Sequence, residues 1–229
     1  MYLEICANSY QSAKNAQEAG AYRIELCQEL SFGGITPSYG LLKQVRDNLE
    51  ISVFVLIRPR GGDFVYSEVE FEIMKHDIQL CKDLGCDGIV SGLLNNNKTI
   101  DIDRTQELIE LSRPLPFTFH RAFDEVSNPL EAFLQLIDLG VERVLTSGQQ
   151  TTAESGLELL KELNIMSNGR IIVLAGSGIT SDNALKFKQI GLKEIHASAS
   201  SLLEENNSLF SMPLTYSNPQ KIKAILNAI

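Results

Sequence analysis

Two short runs of this chain repeat a pattern with chemical reach. Leu3-Glu4-Ile5-Cys6 and Ile24-Glu25-Leu26-Cys27 each set a carboxylate two residues before a thiol. On adjacent strands about 4.8 Å apart, Cys6 and Cys27 would present two soft sulfurs to one soft cation such as Cu(I). The same placement also suits two thiols that only pack, or a disulfide. His120 and His196 fall at the end of, or within, strand-like runs, and Arg121 and Asp124 follow His120 closely. Imidazole transfers protons near neutral pH, so His120 is the candidate proton-transfer group. Asp124 is placed to orient it or to accept from Arg58 or Arg60. Those two arginines suit a carboxylate or phosphate, and either could instead neutralise Glu4 or Glu25. A network of rim salt bridges is the plainer reading of this set. His76 lies in a helix-like stretch and should face solvent, while Cys81 and Cys86 flank a helix end and read as structural.

Two loops of small residues form a second constellation. Ala175-Gly176-Ser177-Gly178 and Ala197-Ser198-Ala199-Ser200 follow the seventh and eighth strand-like runs. Small residues let backbone N–H groups approach an anion, and a following helix N-terminus would add its dipole. Gly176, Ser177, Gly178 and Ser198 are the candidate phosphate or anion site, against the alternative of tight-turn chemistry.

The elements that must position these groups recur as strand followed by helix. Strand-like runs lie at Leu3 to Cys6, Arg23 to Cys27, Val53 to Ile57, Gly88 to Val90, Phe117 to His120, Arg143 to Leu145, Ile171 to Leu174 and Glu194 to Ala197. Helix-like stretches lie at Tyr10 to Ala19, near 39–48, 68–84, 101–111, 129–138, 153–163 and 182–189, and at Pro219 to Ala228. Such a rhythm predicts an α/β fold, a closed (β/α)8 TIM barrel of parallel strands with outer helices, over an open sheet. No linker or low-complexity tract divides the chain, so residues 1–229 read as one barrel domain.

Strand parity then orients the site. Leu3 and Ile5, like Ile24 and Leu26, form the faces that must cover helices, so Glu4, Cys6, Glu25 and Cys27 point into the barrel. Arg58, His120 and His196 join them near the C-terminal rim, where barrel enzymes place their chemistry. An interior carboxylate costs several kcal/mol unless paired, so Glu4 and Glu25 require a cation or a metal.

Composition narrows the partners. Among 229 residues, 29 acidic side chains against 20 basic ones give a net charge of −9, which disfavours a nucleic-acid groove or an anionic membrane surface. No apolar run approaches the roughly 18 to 20 residues that span a bilayer. The N-terminus lacks the pattern of a secretory signal, so the expected location is cytoplasmic, with the four cysteines kept as thiols.

Several of these segments resemble the copper homeostasis (CutC) family. They are the Glu4 and Glu25 runs, Gly33-Gly34-Ile35-Thr36-Pro37-Ser38 and Ile57-Arg58-Pro59-Arg60-Gly61-Gly62-Asp63-Phe64. Thr118-Phe119-His120-Arg121-Ala122-Phe123-Asp124, Leu145-Thr146-Ser147-Gly148 and Ala175-Gly176-Ser177-Gly178 complete the set. The resemblance runs from Met1 to about Ser200. It departs at Ser147-Gly148-Gln149, where a second glycine is expected, and beyond Ser200 the match is loose. It implies a TIM barrel, a role in copper handling, and Cu(I) thiolate positions at Cys6 and Cys27. Two functions follow. One is a copper homeostasis protein binding Cu(I) at the barrel mouth. The other is a barrel enzyme acting on a small anionic or phosphorylated metabolite through His120, Glu25, Arg58, His196 and Asp124. The expected partner is a copper ion or a small anionic ligand, with self-association into a homo-oligomer left open.

Overall fold

The computed structural model describes residues 1–203 and 214–229. Eight parallel strands close into a barrel, each hydrogen-bonded to its sequence neighbours and the eighth to the first. They are β1 (Tyr2–Ala7), β2 (Arg23–Leu26), β3 (Ser52–Leu56), β4 (Gly88–Ser91), β5 (Phe117–Phe119), β6 (Arg143–Thr146), β7 (Ile172–Gly176) and β8 (Glu194–Ala197). The outer helices are α1 (Tyr10–Ala19), α2 (Tyr39–Asn48), α3 (Glu68–Asp83), α4 (Ile102–Ser112), α5 (Pro129–Asp138), α6 (Leu157–Ser167), α7 (Ala184–Gln189) and α8 (Pro219–Ala228).

Local chemistry sets the helix limits. Ser9 accepts from the Ser12 N–H to start α1, and Gly20 at φ 90° stops it in the left-handed region. Ser67 and Glu70 form a reciprocal capping box on α3. α6 runs later than the expected 153–163 because the chain turns through Thr152 to Gly156 first and stops at Asn168, φ 44°.

The apolar core lies between sheet and helices. Leu3, Ile5, Ile24, Leu26, Val53 and Val55 are fully buried on that outer face, as the strand parity predicts. Two short strands went unseen in the sequence: β9 (Ser200–Leu202) pairs antiparallel with β10 (Thr215–Ser217) between β8 and α8. At three residues each they are too short to show a period. Among the described residues no helix is long and apolar enough to cross a membrane.

Candidate active and metal-binding site

The barrel interior is charged from its floor upward. Near the N-terminal ends of the strands, Arg23 is 1% exposed. It donates through Nε to Glu4 and through Nη2 to Glu194. Arg143 also donates to Glu194, at 3.1 Å. The guanidiniums of Arg23 and Arg143 lie 5.0 and 5.1 Å from the Phe54 ring centroid. Gly88 faces that ring so closely that a Cβ there would meet it at 2.5 Å.

Higher in the barrel, His196 bridges two carboxylates. Its Nδ1 lies 2.7 Å from Glu4 Oε1 and its Nε2 lies 3.5 Å from Glu25 Oε2. Burial alone would lower the imidazole pKa, but Cys6, Glu4 and Glu25 raise it well above its usual value and keep the ring a cation. Burial would raise the Glu4 carboxyl, yet Arg23 and His196 hold it down to about 2. Glu25, buried with less compensation and facing the Glu4 charge, is pushed up.

Cys6 and Cys27 meet beside this pair, with sulfurs 3.6 Å apart and both thiols free. The two cysteines are not directly opposite each other in the strand register. Cys6 pairs with Glu25, and Cys27 lies just past the end of β2, where its N–H bonds the Ala7 carbonyl at 3.0 Å. The stagger of barrel strands therefore brings the thiols together diagonally. The hydrogen bond with Cys27, added to burial, pushes the Cys6 thiol well up. Ligand atoms of Cys6, Glu25 and His196 all lie within 4.8 Å of one another.

Above this cluster opens a cavity of about 760 Å³, lined in part by Cys6, Glu25, Arg58, His120 and His196. The β7 and β8 loops, with Ser177, Gly178 and Ser198, form one wall. The expected helix N-termini behind those loops are altered: β9 begins at Ser200, and α7 is only six residues long.

Two expected roles at the rim are corrected. Arg58 neutralises neither Glu4 nor Glu25; its guanidinium donates to the carbonyls of Phe32, Gly34 and Gly62 at 2.7 to 2.8 Å. Arg60 pairs with Glu70 and Asp63. Nor does Asp124 orient His120. It accepts from Arg121 at 2.8 Å and from the Thr146 hydroxyl and the Ser147 and Gln149 N–H groups, tying the turn after β5 to the loop after β6. His120 itself accepts at Nδ1 from the Ala122 N–H, 3.2 Å away, and packs against Phe64 with the rings tilted by 56° and centroids 5.0 Å apart. Burial, with the Arg58 charge second, lowers its pKa to about 3. The ring is therefore neutral, with its proton on Nε2, and serves as a donor near neutral pH. His76 is exposed on α3 and Cys81 and Cys86 are buried, as expected.

Arg23, Arg143 and Glu194 escaped the sequence reading. The signal was present, since Arg23 shares the parity of Glu25, and Glu194 that of His196.

The comparisons agree with the barrel fold. The CutC family model matches residues 1–201. A CutC family protein of Edwardsiella ictaluri is 52% identical over 197 residues, 86% of this chain and 78% of its own. The human copper homeostasis protein cutC homolog is 50% identical over 200 residues, 87% of this chain and 73% of its own. A solved CutC structure from Streptococcus agalactiae superposes with TM-score 0.82 at 35% identity, covering 86% of this chain and 98% of that one. A thiamine phosphate pyrophosphorylase from Pyrococcus furiosus, TM-score 0.63 at 17% identity over 99% of this chain and 94% of that one, shares the barrel fold alone. On the length of the family match and the identity to these relatives, the chain belongs to the CutC family.

Proposed function

We propose that this protein handles copper by holding one Cu(I) ion between Cys6 and Cys27. The observation that carries this reading is the 3.6 Å separation of the two sulfurs. With metal–thiolate bonds of about 2.3 Å, two sulfurs reach one ion at any separation up to about 4.6 Å, and the observed spacing gives an S–metal–S angle near 100°. That angle leaves one side of the ion open to a third ligand, and Glu25 offers a carboxylate oxygen within 4.8 Å of the Cys6 sulfur. Thiolates select a soft monovalent ion over the hard cations that carboxylates prefer. Two thiolates with Cu(I) carry one net negative charge, which the His196 cation offsets. The ion enters from the cavity, because Cys6 lines it while Cys27 is fully buried behind. Four free cysteines fit a reducing, cytoplasmic setting.

Anaerobic Cu(I) titration of the reduced protein against a competing chelator tests this. One equivalent should resist the competitor, and Cys6→Ser or Cys27→Ser should each lose it. Wild-type affinity in the double substitution would refute the assignment.

A further inference from the structure

The β7 and β8 loops line the cavity with backbone of which four carbonyls are already engaged elsewhere. In the β7 loop, the Ser177 carbonyl accepts from the Ala153 N–H at 2.9 Å and its hydroxyl donates to Thr151, also at 2.9 Å. The Gly178 carbonyl accepts from Asn183 Nδ2 at 2.8 Å. In the β8 loop, the Ala199 carbonyl accepts from the Asn218 N–H at 2.9 Å, and the Ser200 carbonyl from Lys221 Nζ at 2.6 Å. The N–H groups of Ser177, Gly178, Ile179, Ser198 and Ala199 make no hydrogen bond among the described residues. Two of these residues, Ser177 at φ 90° and Ala199 at φ 46°, hold left-handed backbone without being glycine. The two loops are neighbours, since Gly176 pairs with His196. Lys221 lines the same cavity.

A second observation is independent of the loops. His120 is 4% exposed and lines the cavity, and its Nε2 has no partner among the described residues. With Nδ1 accepting from Ala122, the unpaired atom is a donor.

We propose that this cavity binds a small phosphate monoester, whose phosphate sits against the N–H groups of the β7 and β8 loops beside Lys221. Five N–H groups and an ammonium exceed the roughly four acceptor sites of a carboxylate, and they match three phosphate oxygens. Leu30, Phe32, Phe64 and Leu145 supply an apolar wall for the body of the ligand, and the free His120 Nε2–H gives it a polar contact. At about 760 Å³ the cavity has the capacity of a metabolite site. This site is distinct from the thiol pair, so it stands or falls apart from copper binding.

Inorganic phosphate, followed by amide NMR and by titration calorimetry on the reduced, metal-free protein, is the probe. Saturable shifts should concentrate on the amides of Ser177, Gly178, Ser198 and Ala199. Lys221→Glu, an exposed change that leaves the barrel intact, should weaken phosphate at least tenfold. Gly178→Val, at φ 73° and with a Cβ 3.3 Å from Thr152, should abolish binding. The Cys6→Ser, Cys27→Ser protein should bind phosphate as wild type does. No saturable shift at 20 mM phosphate (about 2 kcal/mol of affinity), or undiminished binding in Lys221→Glu, would overturn the proposal even if Gly178→Val failed to fold.

Discussion

The two ends of the barrel interior carry similar residues and spend them differently. At the floor, Arg23 and Arg143 face Glu4 and Glu194, and each carboxylate is met by a guanidinium. The ion pairs there are shut away from solvent and hold one another in place. Toward the mouth, Glu25 has only a 3.5 Å approach to His196, two free thiols lie against each other, and the His120 donor has no partner among the described residues. Arg23 Nη1 and Arg143 Nη1 at the floor also have no partner among the described residues, so what sets the His120 donor apart is that it lines the open cavity. The contrast separates charge that builds the barrel from charge and sulfur left over for binding.

Substitutions at the two ends should therefore fail in different ways. The largest effect belongs to the floor: Arg23→Ala leaves Glu4 and Glu194 short of a cation and should cost about 3 to 5 kcal/mol in urea denaturation. A loss below about 1 kcal/mol would erase the distinction. Next comes acid. The Glu4 pKa is depressed in the folded state, from 4.5 to about 2, so its contribution is complete above pH 4.5 and disappears as pH falls through 2. Stability should drop by on the order of 3 kcal/mol across that window, and Glu4→Gln should flatten the slope. A slope unchanged by Glu4→Gln would place the acid-sensitive group elsewhere.

Much of this division was legible in the sequence, and the parts that were not have physical reasons. Alternation in β1 and β2 was enough to send Glu4, Cys6, Glu25 and Cys27 inward, because the opposite parity would press the Glu4 and Glu25 carboxylates against the apolar helices in place of Leu3, Ile5, Ile24 and Leu26. The same alternation contained Arg23, the missing cation for Glu4. Arg58 could not be read correctly, since its partners are carbonyls of Phe32, Gly34 and Gly62, and main-chain acceptors leave no trace in residue type. The neutrality of His120 likewise depends on burial and on Arg58, which only the closed barrel brings to it.

Smaller effects sharpen the contrast further. Gly88→Ala presses a methyl into the Phe54 ring, beside which the Arg23 and Arg143 guanidiniums lie, and should cost about 1 to 3 kcal/mol in thermal unfolding. A neutral result would show that the floor packs loosely. At the mouth, Cys27→Ala should cost only on the order of 1 kcal/mol, the value of a small buried hydrophobe, while removing the copper site. A loss as large as that of Arg23→Ala would make the thiol part of the scaffold.

X-ray absorption of the Cu(I)-loaded, reduced protein tests the copper assignment most directly. Two sulfur neighbours at about 2.3 Å are predicted, with both lost in the Cys6→Ser, Cys27→Ser protein. A copper environment of nitrogen and oxygen alone, or a sulfur signal that survives the double substitution, would contradict it.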